Sequence, residues 1–514
     1  MRVGCQFVKG LTVLALSALA VFLLFVWQGT KGLNLGDEGF LWYGAQRVLE
    51  GEVPIRDFQS YDPGRYYWSA SLMGLLNGSG IMNLRVAVAI FQVLGLFAAL
   101  MLLARSNKKY NWLFLFVSTG ILLAWMFPRH KLFDISISIL LVTALTFLLE
   151  NPSVRRQFVT GLCIGFVAVF GRNHGVYGIV GYAGVMIWLC LDRDFRWRFT
   201  EHALSFGVGI IVGFLPIVLL CMIYPGFFQA FWESILYLFD VNATNLTLPI
   251  PWPWQVDFDA QGTLEAWRAV LVGLAFIALV LFSASSIIWV FVRKFCNKPV
   301  SSVLVAAAFL SLPYAHYAYS RADVPHLGQA IFPLLIGVLV MSAERSTFVK
   351  WSLMLVLSGV SLFIMLPVHP AWQCEFRVEC RVVKVSGSSL EVDYGTAESV
   401  EHLQKLEQNH APIGRAFYVT PLWPAAYAIL ERRSPTWEIY SLLPRSHEFQ
   451  QEEIDRLREV SLGFALIIDA PLDGREDLRF KNNRATIYQY FEENFERVPN
   501  QQRSFYDLYK SKDN

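Results

Sequence analysis

The chain has 514 residues, of which 55% are hydrophobic and 16% are charged, and its formal net charge is +2. Soluble domains carry about 25% charged residues, so much of this surface does not meet water. The near-neutral charge excludes a nucleic-acid-binding chain. The composition changes near residue 370 from mostly apolar to that of a soluble domain. We therefore predict an all-α polytopic membrane domain over 1–370 and a small extracytoplasmic α/β domain over 371–514.

Apolar runs long enough to cross a bilayer as helices recur through the first domain, where about 20 residues are needed for each span. They cover 8–27, 85–104, 111–127, 132–149, 158–171, 176–191, 203–223, 267–292, 300–318, 327–342 and 350–367. The hydropathy criterion thus predicts about eleven transmembrane helices. Segment 8–27 is interpreted as a span, because no small-residue cleavage site of a signal peptide follows it.

Lysine and arginine gather in every second connection, which places those connections in the cytoplasm. They are Arg105, Lys108, Lys109, Arg155, Arg156, Arg193, Arg196, Arg198, Arg293, Lys294, Lys298, Arg345 and Lys350. With a cytoplasmic N-terminus, an odd number of spans leaves 371–514 outside. We expect a multi-pass protein of a bacterial inner membrane with a periplasmic C-terminal domain.

The first outer connection, 28–84, carries an acidic pair, Asp37 and Glu38, and further on Asp62 and Arg65. Residues 38–50 show helical apolar spacing, so Asp37 lies near the start of a helix. It could cap that helix, which is worth about 1 kcal/mol, or act as a general base at the membrane surface. The spacing leaves both roles open.

The second, third and fifth outer connections contain cations that break the preference for positive charge inside. The ionisable residues are Arg129, His130, Lys131 and Asp134, then Arg172 and His174, then Arg321, Asp323 and His326. Ionisable groups at the edges of spans are costly and mark sites. Arginine and lysine suit phosphate, so these clusters either converge on one anionic headgroup or contact ordinary lipid headgroups one by one.

The fourth outer connection, 224–266, begins with an amphipathic run and continues with a stiff Pro/Trp stretch at 249–254. Such a segment lies in the membrane interface. It is either a plain anchor or a wall over a lipid-linked substrate.

The second domain alternates helical and strand patterns. A hairpin is predicted at 373–394, helices at 396–409, 422–432, 448–459 and 479–497, and strands at 415–420, 464–469 and 503–509. The run 420–424 is either a packed turn or a contact to the membrane site. Cys374 and Cys380 could pair, since disulfides persist outside the cytoplasm, or remain thiols. No Cys/His spacing typical of metal sites occurs, and we predict neither metal nor cofactor.

Three segments of the first outer connection resemble the GT-C superfamily, and most of all its family-39-like branch of protein O-mannosyltransferases and lipid A aminoarabinose transferases. They are Gly36-Asp37-Glu38-Gly39-Phe40-Leu41-Trp42-Tyr43-Gly44-Ala45, Gly51-Glu52-Val53-Pro54-Ile55-Arg56-Asp57-Phe58 and Tyr61-Asp62-Pro63-Gly64-Arg65-Tyr66-Tyr67-Trp68. The resemblance covers about residues 8–367. Where lipid A transferases have Lys-Pro-Pro, this chain has Asp62-Pro63-Gly64-Arg65, which leaves the sugar and the acceptor open.

The resemblance implies an inverting transfer, without a required metal, from a polyprenyl-phosphate sugar donor at an extracytoplasmic site. Asp37 matches the proposed base, with Glu38 beside it. Arg129, Lys131, Arg172 and Arg321 are the candidates for binding the donor phosphate. The predicted function is therefore a glycosyltransferase that acts on an unknown glycan, lipid or protein acceptor.

Two other classes of protein are weighed against an enzyme. A transporter or flippase of a lipid-linked anionic glycan should show polar residues deep inside its spans and paired repeats, whereas these spans are apolar with charges at the outer rim. A non-catalytic assembly protein would leave the acidic pair without a role except capping.

Overall fold

The computed structural model describes residues 2–106, 111–243, 245–498 and 506–512. Contacts divide the chain into two compact units. Unit 1 comprises Met1–Gln28, Val88–Leu220 and Thr247–Gln373, and unit 2 comprises Gly29–Ala87, Cys221–Leu246 and Cys374–Asn514. The first outer connection thus groups with the C-terminal segment, whereas the composition of the sequence drew one boundary near residue 370.

Helices make up most of the chain up to residue 376. Their bounds are α1 Arg2–Gln28, α2 Asp37–Leu49, α3 Pro63–Leu75, α4 Ile81–Ser106, α5 Trp112–Trp125, α6 Leu132–Glu150, α7 Val154–Phe170, α8 Arg172–Leu189, α9 Arg193–Trp197, α10 Phe199–Gly213, α11 Leu215–Ile223, α12 Phe227–Asp240, α13 Phe258–Gln261, α14 Thr263–Phe295, α15 Ser302–Ser320, α16 Val324–Ala330, α17 Phe332–Ala343, α18 Thr347–Met365 and α19 Pro370–Phe376.

Each predicted apolar segment coincides with one of these helices or with a bent pair of them. The pairs are α10 with α11, bent by 46°, and α16 with α17, bent by 55°. Among the described residues, 5 helices are long and apolar enough to cross a membrane, or up to 7 if each bent pair is one span. A multi-pass membrane protein is thereby confirmed, while about eleven spans stays a prediction.

The helices of unit 1 run in alternating directions. At one end Trp125 donates to the Ser361 hydroxyl at 2.9 Å, which joins the ends of α5 and α18. At the other end Lys294, from the end of α14, pairs with Asp192 beyond α8 at 2.7 Å. The predicted inner cations Arg105 and Arg156 lie 3.7 and 3.9 Å from the carboxylate of Glu150, the last residue of α6. Lys108 and Lys109 lie outside the described residues.

A double glycine contact joins α7 and α10. A Cβ on Gly161 or Gly165 would lie 2.1 or 2.2 Å from a carbonyl oxygen of α10, and one on Gly209 or Gly213 would lie 2.2 Å from a carbonyl oxygen of α7. Both helices therefore carry a Gly-x-x-x-Gly pattern that faces the other backbone, the arrangement that lets helices approach closely in membranes.

Replacing Gly209 by alanine should lower the melting temperature, because the new methyl group cannot fit against the Phe158 carbonyl 2.2 Å away. Overpacking of this kind costs about 1–3 kcal/mol. Gly207 on the same helix has nothing within 4 Å of its Cβ position, so Gly207→Ala should be neutral or stabilising. Thermal unfolding in detergent compares the two. Equal melting temperatures would show that the helices are not in backbone contact.

The C-terminal segment of unit 2 contains a hairpin and a four-stranded sheet. The strands are β1 Cys380–Val385, β2 Ser388–Asp393, β3 Ala416–Thr420, β4 Leu462–Ile467, β5 Phe495–Val498 and β6 Asp507–Ser511, and the helices are α20 Tyr394–His410, α21 Ala425–Ile429, α22 His447–Arg458, α23 Phe480–Asn483 and α24 Ala485–Asn494. The sheet order is β3-β4-β6-β5, with β3 parallel to β4 and the other pairs antiparallel. An aromatic core of Tyr418, Phe491 and Tyr509 lies on this sheet.

Most predicted elements of this segment are present. Cys374 and Cys380 form a disulfide, which resolves the open alternative. The predicted helix 479–497 was wrong at its end, where the chain turns into β5 because residues from Phe495 onward pair with β6, and tertiary pairing overrides helical pattern. Helix α21 begins later than predicted because Pro421 and Pro424 lie in a turn before it.

Candidate functional site

The acidic turn, residues 34–39 of unit 2, leads into α2. Asp37 is the first residue of that helix and is partly exposed. Its backbone N–H donates to the Asn34 side-chain oxygen at 2.7 Å. The side chain that caps this end is therefore that of Asn34, which weakens the capping role considered for Asp37. The positive end of the helix dipole favours the Asp37 carboxylate in this position.

Glu38 differs sharply from its neighbour, because it is buried in an ion pair with Arg85. Nε and Nη2 of Arg85 donate to the two Glu38 carboxylate oxygens, each at 2.9 Å. The same guanidinium donates to the carbonyl oxygens of Gly29 and Gly32, both at 2.7 Å. Arg85 thus joins the start of α4 to the acidic turn and to the strand-like segment before it.

Glycines 36 and 39 are required by the packing of this turn. A Cβ on Gly39 would lie 2.4 Å from the Ala425 methyl group, and one on Gly36 would lie 2.9 Å from the Tyr440 hydroxyl. The Ala425 N–H donates to the Leu35 carbonyl at 3.0 Å. The run 420–424 is therefore a packed turn, and together with the start of α21 it packs against the residues that flank Asp37.

Residues 437–440 dock the remainder of the first outer connection. The Gln59 side-chain oxygen accepts the N–H groups of Ile439 and Tyr440 at 3.0 and 2.8 Å. From the other side, the buried carboxylate of Glu453 accepts the N–H of Trp437 at 3.3 Å and that of Glu438 at 3.0 Å. The C-terminal segment is thus a scaffold for the loop that carries Asp37.

Asp62 and Arg65 lie at the start of α3, and both are buried. The Arg65 guanidinium lies 4.9 Å above the Tyr61 ring. The Tyr66 hydroxyl, also buried, accepts the Tyr61 N–H at 3.0 Å. Their burial differs from the open, substrate-facing position expected of binding residues, and their role in binding substrate stays a prediction.

In unit 1 a buried triad links three helices. His174 Nε2 lies 2.9 Å from the Asp134 carboxylate, and His174 Nδ1 lies 2.8 Å from the Tyr314 hydroxyl. His174 and Tyr314 are fully buried. Asp134 belongs to α6, His174 to α8 and Tyr314 to α15, so the second and third outer connections meet here. His174 was expected to face a phosphate, but its two ring nitrogens are bound inside the protein.

The fifth outer connection joins the same end of unit 1. The Tyr317 ring lies 5.6 Å from that of His174 and 5.8 Å from that of His326. Asp323 accepts from His326 Nδ1 at 2.7 Å and from Arg321 Nε at 2.9 Å. Burial alone would raise the pKa of Asp323, but the bonds from His326 and the Arg321 charge outweigh it and bring this pKa below its usual value.

The second connection completes this end of unit 1, which we call the rim. Arg129, His130 and Lys131 form a single 3-10 turn, with His130 buried and the two cations half-buried. Arg129 donates to the Gln28 carbonyl at 2.9 Å. A Cβ on Gly328 of α16 would lie 2.9 Å from the Phe127 carbonyl, so the fifth connection packs on the chain just before this turn.

The structure therefore brings together the nine predicted rim residues of unit 1, which are Arg129, His130, Lys131, Asp134, Arg172, His174, Arg321, Asp323 and His326. Asp134 engages His174, and Asp323 engages both His326 and Arg321. Arg172 is half-buried at the first position of α8. Within the described ranges, no group of three or more His, Cys, Asp or Glu side chains could hold a metal ion.

Sequence reasoning missed two residues of importance. Arg85 was assigned to the second apolar span, where its position one turn inside α4 was the available signal, since a charge there requires a partner. His369 was also missed. It is buried with bonds of 3.0 Å to the Gln28 side chain and 3.0 Å to the Ala124 carbonyl, and it joins the ends of α1 and α5.

Replacing Arg85 by methionine should destabilise the protein strongly, because it leaves the Glu38 carboxylate buried without its cation. Loss of one partner of a buried pair costs about 3–5 kcal/mol. Thermal unfolding of the purified protein measures this effect. The control is Arg458→Met, which breaks an exposed pair with Asp455 and should cost no more than about 1 kcal/mol. Similar losses in both variants would contradict the structure.

Glu453 should make stability depend on pH near neutrality. Burial raises the pKa of Glu453 to about 7, although the hydrogen bond from the Glu438 N–H acts in the opposite direction. In the unfolded chain the pKa of a glutamate is about 4.3. Between these values the folded state holds the proton and the unfolded state does not, so stability falls as the pH rises through this window. Glu453→Gln should remove this fall. Its exposed neighbour Glu452→Gln should not, and melting curves from pH 5 to 8 compare them.

No protein-family model and no curated protein matches the chain. Its structure is similar to that of the Archaeoglobus fulgidus oligosaccharyltransferase, with a TM-score of 0.49, 11% identity and coverage of 89% of this chain and 69% of that one. It is also similar to ArnT from Cupriavidus metallidurans in the apo state, with a TM-score of 0.48, 12% identity and coverage of 99% and 98%. For the same protein bound to undecaprenyl phosphate, the TM-score is 0.46 and the identity is 14%, with coverage of 97% of this chain and 97% of that one.

Proposed function

We propose that the protein is an inverting glycosyltransferase that takes a sugar from a polyprenyl-phosphate donor at the outer face of a bacterial inner membrane. The observation that carries this proposal is the acidic turn, in which Asp37 is partly exposed at a helix N-terminus while Glu38 is buried against Arg85. Such an arrangement holds one carboxylate in place and leaves the other accessible to a substrate.

Asp37 is the better candidate for the base. A general base must reach the proton that it removes, and the Glu38 oxygens are committed to Arg85 at 2.9 Å inside the protein. Glu38, Arg85 and the two close-packed glycines instead hold the first turn of α2. Glu38 is then a positioning residue. The sequence had allowed a catalytic role for both acids, and the proposal keeps that role for Asp37 alone.

The proposed reaction is a single displacement. The acceptor hydroxyl or amine attacks the anomeric carbon of the sugar while Asp37 takes its proton. The bond from that carbon to the phosphate oxygen breaks, and polyprenyl phosphate leaves with the electron pair. Because attack and departure occur on opposite faces of the sugar, the configuration inverts.

The cations of the rim suit the leaving group. Lys131, Arg129, Arg172 and Arg321 are the proposed ligands of the donor phosphate, where fixed positive charge stabilises the anion that forms. The donor's polyprenyl tail cannot leave the bilayer, so both the base and these cations must act at the membrane surface. A multi-pass chain whose charges lie at helix ends meets that requirement.

The proposed location follows from charge and from the disulfide. The predicted inner connections are rich in lysine and arginine, which the cytoplasmic side retains. The Cys374–Cys380 disulfide requires an oxidising compartment to persist. Both features support the proposal that the C-terminal segment, and with it the acidic turn, lies in the periplasm.

Asp37→Asn should abolish transfer without loss of donor binding or fold, since general bases contribute about 10²–10⁴-fold to rate. The assay incubates the protein in lipid with radiolabelled polyprenyl-phosphate sugars and native membrane extract. Asp194→Asn, an exposed acid at the opposite end of unit 1 from the rim, is the matched control and should keep full activity.

Two outcomes would overturn this proposal. Equal turnover by wild type and Asp37→Asn would assign the base to another residue. Donor binding without turnover in any extract, combined with movement of labelled lipid across the bilayer, would identify a transporter of lipid-linked anions.

A further inference from the structure

Two of the proposed phosphate ligands stand next to members of the buried triad in the chain. Lys131 occupies the N-cap of α6, and Asp134 lies in the first turn of that helix. Arg172 is the first residue of α8, and His174 lies in its first turn. Residues of one helical turn move together, so whatever fixes Asp134 and His174 also fixes the backbone that carries the two cations.

The bond between Asp134 and His174, 2.9 Å long, therefore sets the distance between the two helix N-termini. Tyr314 extends this link to α15, through its hydroxyl 2.8 Å from the other nitrogen of His174. Helix α15 ends directly before Arg321, a third proposed phosphate ligand. Three helices with a cation at the same end are thus joined by a single chain of hydrogen bonds.

Electrostatics explains why a carboxylate is needed at this point. The N-termini of α6 and α8 both carry the positive end of a helix dipole, and Lys131 and Arg172 add two full charges beside them. Without a buried anion these ends would repel each other. Asp134 supplies that anion, and its bond to His174 holds it between the two helices instead of on one of them.

We propose that His174 is a positioning residue which, with Asp134 and Tyr314, spaces Lys131 and Arg172 to receive the phosphate of the lipid donor. This inference rests on the proposed function and adds the residues that build its phosphate site. It assigns to His174 an indirect role, since the buried imidazole does not touch the donor. A displacement of about 1 Å at such a site lowers the reaction rate on the order of 10²-fold.

The test compares the affinity for a polyprenyl phosphate with that for the polyprenol of equal chain length. The ratio of the two affinities isolates the phosphate site from binding of the tail. Native mass spectrometry of the purified protein in detergent measures both. The variants are His174→Gln, Asp134→Asn and Tyr314→Phe, and the control is His316→Gln, an exposed histidine of α15.

We expect His174→Gln and Asp134→Asn to lower this ratio at least about tenfold, with polyprenol affinity unchanged. Tyr314→Phe should lower it less, and His316→Gln should leave it as in wild type. In turnover assays the donor KM should rise more than kcat falls. Lys131→Met and Arg172→Met should reproduce the loss directly, which confirms that the ratio reports these cations.

The two proposals fail in different ways. Equal affinity of the wild-type protein for both lipids would show that it has no site for the donor phosphate, and the proposed function would be wrong. A wild type that prefers the phosphate, with unchanged preference in the triad variants, would overturn the positioning role alone. If His174→Gln and Asp134→Asn do not fold, the milder Tyr314→Phe decides. A drop in its affinity for both lipids alike would show that the triad only stabilises the fold.

Discussion

The buried ion pair between Arg85 and Glu38 is the constraint on which the organisation of unit 2 depends. Taking a guanidinium out of water costs several kcal/mol unless its N–H groups find acceptors. Here the carboxylate of Glu38 and the carbonyls of Gly29 and Gly32 supply them. If the segment before α2 moved away, the buried Arg85 guanidinium would lose the carbonyl acceptors of Gly29 and Gly32. The acidic turn is therefore fixed to the start of α4.

The same principle recurs in unit 1 with different residues. Asp134, His174 and Tyr314 satisfy one another inside the protein, while Lys131 and Arg172 stand at the adjacent helix ends. In both units a buried, hydrogen-bonded group lies within a few residues of a charged side chain that is only partly buried. Preorganisation of this kind lets a charged group act without first being ordered.

Local patterns of the sequence predicted the helices, most strands and the type of residue at the rim, because apolar spacing and charge placement are local properties. They did not predict the pairs. Glu38 and Arg85 are 47 residues apart, and Asp134 and His174 are 40 apart, so no spacing rule connects them. Strand β5 was missed because its partner, not its own residues, makes it a strand. The glycine pattern of α7 and α10 was present in the sequence and marks a close helix pair, but it was not interpreted.

The glycine contact between α7 and α10 has a mechanical consequence. Four glycines bring the two backbones together without flexible side chains between them. Changes of side-chain rotamer therefore cannot shift one helix along the other, and the two helices behave as a rigid pair. Helix α7 ends at Phe170, and only Gly171 separates it from Arg172. The third connection is therefore attached, through Gly171, to the end of this rigid helix pair. Any change in the position of Arg172 would have to come from rotation at Gly171 and from α8, while α7 and α10 keep their places.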